Sequence, residues 1–139
     1  MKLHFLFCCS ALALGSFSTF AAHQLDLNIG PIEAKTGTLH VALYNNAADY
    51  EADKNVVAVQ KLAVTSQQIN LQFAGLAPGQ YAIKIMHDEN NNGKLDRNML
   101  GIPSEGYGFS NNAGQFGPAS FADAAFTVSG DQKIQIQIR

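Results

Sequence analysis

The chain predicts an all-β fold, an antiparallel seven-stranded sandwich carrying one long ordered loop. Three observations point there. Apolar residues recur at every second position in short segments, the period of strands with one face buried and one face wet. Turn-forming residues separate those segments at the spacing expected of a sandwich. No segment keeps a convincing helical period.

The elements follow in order. Leu25, Leu27 and Ile29 alternate with polar neighbours, and Leu39, Val41 and Leu43 do so around His40 and Ala42. A single helical turn is placed at Ala47-Ala48-Asp49-Tyr50, and residues 56–64 form a β-branched strand. Ile69, Leu71 and Phe73 alternate with Asn70 and Gln72, and Tyr81, Ile83 and Ile85 with Ala82, Lys84 and Met86. Phe126 and Val128 make a short strand, and Ile134, Ile136 and Ile138 alternate with glutamines to the end. The sharpest hairpin runs from Phe73 to Tyr81, where Pro78-Gly79 suits a type II turn with glycine at the position needing positive φ. This F-x-x-L-x-P-G-x-Y pattern resembles that of transthyretin-like, or prealbumin-like, modules. The resemblance implies an immunoglobulin/transthyretin-like sandwich, often an adhesive or scaffolding unit without catalysis.

The N-terminal 21 residues read as a secretory signal peptide, leaving residues 22–139 as a single sandwich domain. Lys2 and His4 precede an apolar stretch, Phe5 to Leu14, and cleavage after Ala21 puts small residues, Thr19 and Ala21, at the −3 and −1 sites. The stretch is too short and too interrupted by serine for a membrane span, and no later segment is long enough for one. The expected location is therefore periplasmic or secreted. Cys8 and Cys9 both lie in this segment and read as apolar filler, since a lipid-modified cysteine would leave too little apolar chain before it. A mature chain without cysteine has no disulfide, and a structural metal is the staple left to it. Losing Lys2 reduces the 9 basic residues to 8 against 11 acidic ones, a formal charge of −3. No basic patch marks a nucleic-acid partner. A mature length of about 118 residues suits one core.

One run carries chemistry. From Asp88 to Asp96 the chain reads Asp-Glu-Asn-Asn-Asn-Gly-Lys-Leu-Asp, with oxygen side chains at positions 1, 3, 5 and 9 of a calcium loop and glycine at position 6. Calcium takes about 6–8 oxygen ligands, and a tight loop with an oxygen at every second residue offers them from one side. The predicted ligands are Asp88, Asn90, Asn92 and Asp96 through their side chains and Lys94 through its carbonyl. The match departs at position 12, which is Met99 where a bidentate glutamate is expected. The flanks do not read as two helices, so the loop belongs to another fold. A metal-free turn is the alternative, because Asn92-Gly93 alone makes a tight turn. That alternative does not require acidic residues eight apart with asparagines spaced between them.

His87 through Asp96, then Leu100-Gly101-Ile102-Pro103-Ser104-Glu105-Gly106-Tyr107-Gly108-Phe109-Ser110-Asn111-Asn112, then Phe121-Ala122-Asp123-Ala124, resemble the bacterial secreted family called domain of unknown function 2141. The resemblance covers about Gly37 to Ile138. It implies a secreted sandwich and attaches no reaction to it.

Residues 99–123 are long for a connection without structure of its own, and such loops are usually functional or disordered. Tyr107, Phe109, Phe116 and Phe121 make this one too aromatic for disorder, so an ordered Ω-type loop is expected. Its rings either anchor it to the core or line a groove for a peptide or glycan. Glu105 is placed to reach back and complete the metal shell.

Catalytic signatures are absent: there is no nucleophile elbow, P-loop or dinucleotide fingerprint. His23, His40 and His87 lack zinc spacing. By strand alternation His87 faces inward at the rim, as a base, a ligand or a donor to loop backbone. Asp88 and Asp96 also admit a glycosidase-type pair, but the flanking asparagines and the shared tight loop favour a cation. The first reading is a non-catalytic exported module, stabilised by calcium, that binds an envelope protein or glycan. The alternative is a small periplasmic metal-dependent enzyme or metal carrier using His87, Asp88 and Glu105.

Overall fold

Strand segments with one apolar face must bury that face, and here they do so against each other in two sheets. The computed structural model describes residues 19–139; the predicted signal segment up to residue 18 lies outside the described residues. Eight strands are formed: β1 His23–Ile29, β2 Thr38–Tyr44, β3 Ala58–Ala63, β4 Ile69–Leu76, β5 Gly79–Asp88, β6 Tyr107–Phe109, β7 Phe126–Val128 and β8 Gln132–Ile136. Two short helices, α1 Ala47–Ala52 and α2 Phe121–Ala124, complete the fold with a 3-10 turn at Ser110–Asn112. One sheet has the order β4-β1-β8, and the other runs β3-β2-β5-β6 with β7 also on β5. The fold is thus mostly β, with sheets of three and five strands.

The alternation read from sequence sets the inner faces. Leu25, Leu27 and Ile29 of β1 meet Leu39, Val41 and Leu43 of β2, Leu71 and Phe73 of β4, and Ile83 and Ile85 of β5 in one core. Emptying one of these positions, as in Leu27→Ala, costs about 2–5 kcal/mol in a close-packed interior. A second, smaller cluster lies on the outer face of the five-stranded sheet, where Tyr44, Tyr50, Ala82, Phe109, Ala119 and Ala124 pack under α1 and α2. Asn46 caps α1, its side chain accepting from the Asp49 N–H at 2.9 Å.

Four expectations are corrected. The described residues form eight strands rather than seven, because Tyr107–Phe109 pairs with β5 inside the segment expected to be a loop. That segment also contains α2, so it is not structureless. The pairing is not wholly antiparallel: β1 and β8 run parallel, with Leu27 opposite Ile134. No hairpin connects these two strands, so no turn sets their relative direction. Gly79 sits at φ 157, not near the +80° of a type II turn, and the left-handed glycine is Gly75 at φ 72. The Tyr81 hydroxyl closes this corner by donating to the Ala77 carbonyl at 2.8 Å.

Two features carry the fold toward its polar end. β5 is ten residues long and delivers His87 and Asp88 to the rim of the sandwich. Past β8, Arg139 exchanges both backbone hydrogen bonds with Tyr107, at 3.0 and 3.1 Å, which ties the C-terminus to β6.

Candidate functional site

The polar end begins where β2 and β5 part. Thr38 pairs with Asp88 at the last register position, and Gly37 lies against the Asp88–Glu89 backbone. A Cβ at Gly37 would stand 2.0 Å from the Asp88 carbonyl oxygen, so only glycine fits, and its φ of 73 is one that other residues rarely adopt. Asp88 is 2% exposed. Its carboxylate faces the turn that follows, accepting from the N–H of Asn92 at 3.0 Å and of Gly93 at 2.7 Å. Asn90 Oδ1 also accepts from the Asn92 N–H, at 3.1 Å, and Asn92 Oδ1 accepts from the Lys94 N–H at 2.9 Å. These are the local bonds for which Asp and Asn are favoured in turns. Gly93, at φ 80, allows the reversal.

Asp96 closes the loop from the other side. Its carboxylate accepts from the amide of Asn90 at 2.6 Å and from that of Asn92 at 2.8 and 3.0 Å. Bonds from Asn92, then Asn90, hold the Asp96 carboxyl below the usual carboxylate range, against a smaller opposing effect of burial. Four predicted ligand side chains, Asp88, Asn90, Asn92 and Asp96, are therefore brought together. Lys94 enters this network through its N–H; its carbonyl makes none of these bonds. Among the described residues, no group of three or more His, Cys, Asp or Glu side chains is placed to hold a metal, so a cation here would need amide and backbone oxygens beside the two carboxylates.

Glu105 does reach back to the loop, but its oxygens go to backbone. Oε1 accepts from the Glu89 N–H at 3.0 Å and Oε2 from the Asp96 N–H at 2.9 Å. It is 8% exposed and spans the outside of the loop, satisfying two donors at once. His87 is buried, as the alternation predicts. Its Nε2 lies 2.7 Å from the Thr36 carbonyl oxygen, and its Nδ1 lies 3.8 Å from Glu89 Oε1. Met99, the residue at position 12, points into solvent. Three participants were not legible in the sequence: His40, with Nε2 3.7 Å from Asp88 Oδ2; Thr38, whose hydroxyl donates to Asn91 Oδ1 at 2.7 Å; and Glu89, accepting from the Gly106 N–H at 3.4 Å. The period-two pattern places His40 on the wet face but gives no sign of its neighbour.

Beyond Asp96 the chain makes a flap. Arg97 bridges to Pro103, and Asn98 Oδ1 accepts from the N–H groups of Leu100 and Ile102 at 2.9 and 3.1 Å. A second projection follows at Gln115-Phe116-Gly117-Pro118. Between the two flaps, over the outer face of β2, β5 and β6, lies a groove of about 770 Å³. Of the four loop aromatics, Phe109 is buried, Tyr107 and Phe121 are half-buried, and Phe116 is fully exposed. Three rings anchor the segment and one does not.

Residues 27–137 match the family described as uncharacterized protein conserved in bacteria (DUF2141). No curated protein and no solved structure matches the chain.

Proposed function

We propose that this chain, which belongs to DUF2141, is an exported, non-catalytic β-sandwich module whose Asp88–Asp96 loop binds calcium and whose role is binding or interaction at the cell envelope. The observation that carries the calcium reading is the convergence of the Asp88, Asn90, Asn92 and Asp96 side chains within one nine-residue turn. Calcium would take the place of the two asparagine amide donors at Asp96, with the amides turned to present oxygen. With two carboxylates and no glutamate at position 12, affinity falls in the range of extracellular modules, about 10⁻⁴–10⁻³ M. Export rests on the N-terminal apolar segment and its small-residue cleavage site, and periplasmic or secreted location follows from it. Among the described residues, no helix is long and apolar enough to cross a membrane. The finer likeness to immunoglobulin/transthyretin-like sandwiches belongs to the same proposal, supported by the seven predicted alternating segments and the Tyr81–Ala77 bond. The enzyme or carrier alternative has less support, since Glu105 spends both carboxylate oxygens on backbone and His87 its Nε2, while its Nδ1 faces Glu89.

Thermal unfolding in chelator and in 10 mM calcium tests the proposal. At 10–100 times the dissociation constant, calcium adds about 1.4–2.7 kcal/mol of stability. Asp96→Ala removes that gain. The same melting curve in chelator and calcium, with no heat in a calcium titration, makes the loop a plain turn.

A further inference from the structure

The groove between the two flaps has the composition of a ligand site. Its floor is the outer sheet face, with Ala42 as the small residue between His40 and Tyr44 on β2, opposite Lys84 of β5. Its walls are apolar, with Ile102 56% exposed on one flap and Phe116 102% exposed on the other. Its volume of about 770 Å³ lies within the range of small-molecule pockets, about 300–1,000 Å³. Large apolar side chains left exposed together around a concavity mark a surface that another molecule covers.

The charges define what that molecule must be. The one carboxylate in the lining, Asp53, stands 2.8 Å from Lys84 Nζ, and that ammonium also lies 4.1 Å from the Tyr50 ring centroid. Lys84 is thus compensated. His40 at the other end faces Asp88. Arg97 is different. One of its guanidinium nitrogens donates to the Gly101 carbonyl at 3.0 Å, and among the described residues no ion pair involves it. Arg97 is exposed, so its charge is open to an incoming anion, and a neutral apolar occupant would leave it unpaired. An occupant with a carboxylate would meet the planar fork that guanidinium offers.

We propose that the groove binds an amphipathic monocarboxylate, an apolar acyl chain lying over Ala42, Met86 and Phe116 with its carboxylate on Arg97. This rests on the reading of the protein as a binding module and names the ligand class of that module.

Calorimetric titration of the purified protein with octanoate and with 1-octanol, in calcium and in chelator, tests it. Octanoate binds about tenfold more tightly than octanol. Lengthening the acid tightens binding by up to about fourfold per methylene. Arg97→Gln abolishes the preference for the acid and leaves octanol unchanged. Phe116→Ser, at a fully exposed position, weakens both ligands without altering the melting temperature, and Ala42→Phe fills the floor and removes both. Absence of binding by either ligand overturns the proposal, as does an acid preference that survives in Arg97→Gln or wild-type affinity in Phe116→Ser. Octanoate binding without calcium heat sinks only the calcium loop; calcium heat without octanoate binding sinks only the groove.

Discussion

The turn from Asp88 to Asp96 and the flap from Arg97 to Pro103 follow one another in the chain and are built in opposite ways. In the turn, polar side chains spend their oxygens on backbone N–H groups and on neighbouring asparagine amides, around a carboxylate that is 2% exposed. In the flap, the Asn98 side chain and the Arg97 guanidinium hold the backbone, while Met99 and Leu100 stand 103% and 84% exposed. The difference separates two things that burial usually joins. Order at this end of the sandwich comes from polar capping of a tight backbone, so apolar side chains are not needed to hold it and remain available to a ligand.

That contrast predicts steeply graded effects. The largest belongs to the contact that seats the turn on the sheet. Gly37→Ala pushes a methyl group into the Asp88 backbone at positive φ and destabilises by about 3 kcal/mol or more. Gly93 also has positive φ but nothing within 4 Å of its Cβ position, so Gly93→Ala costs about 1–2 kcal/mol. Urea unfolding of the pair checks this; equal losses would show that backbone conformation alone, and not the close approach, matters at Gly37.

Next is the carboxylate that grips the turn from outside. Glu105→Ala strips the acceptor from the Glu89 and Asp96 N–H groups and costs about 2–4 kcal/mol. Glu105→Gln keeps one acceptor and recovers part of the loss. Chemical denaturation measures both, and hydrogen exchange at the Asp96 amide locates the damage. If exchange at Asp96 is unchanged in the alanine variant, the clamp is not what orders the loop.

The smallest effect is expected on the flap. Met99→Ser and Leu100→Ser leave stability within about 0.5 kcal/mol, because neither side chain is buried. A loss above about 1 kcal/mol in either variant would mean that the flap packs against something in solution and would dissolve the contrast between the two segments.

The sequence by itself determined seven of the strands, their faces and the make-up of the turn. Those are local properties: a pleated strand alternates its side chains whatever it pairs with, and Asp or Asn beside a glycine bonds its own near backbone. Hence Leu25, Val41 and Ile83 lie in the core as the alternation predicts, and His87 is buried at the rim. The tertiary structure alone decided which distant segments meet. The parallel course of β8 beside β1, the Arg139–Tyr107 bonds and the recruitment of Tyr107–Phe109 as a strand each join residues with no short connection, so no turn encodes them. The same holds for Glu105, whose oxygens go to two backbone N–H groups that only the folded loop presents side by side. It holds for the groove as well, because Ala42, Arg97 and Phe116 come from three separate elements and share a surface only once the sheet has brought them together.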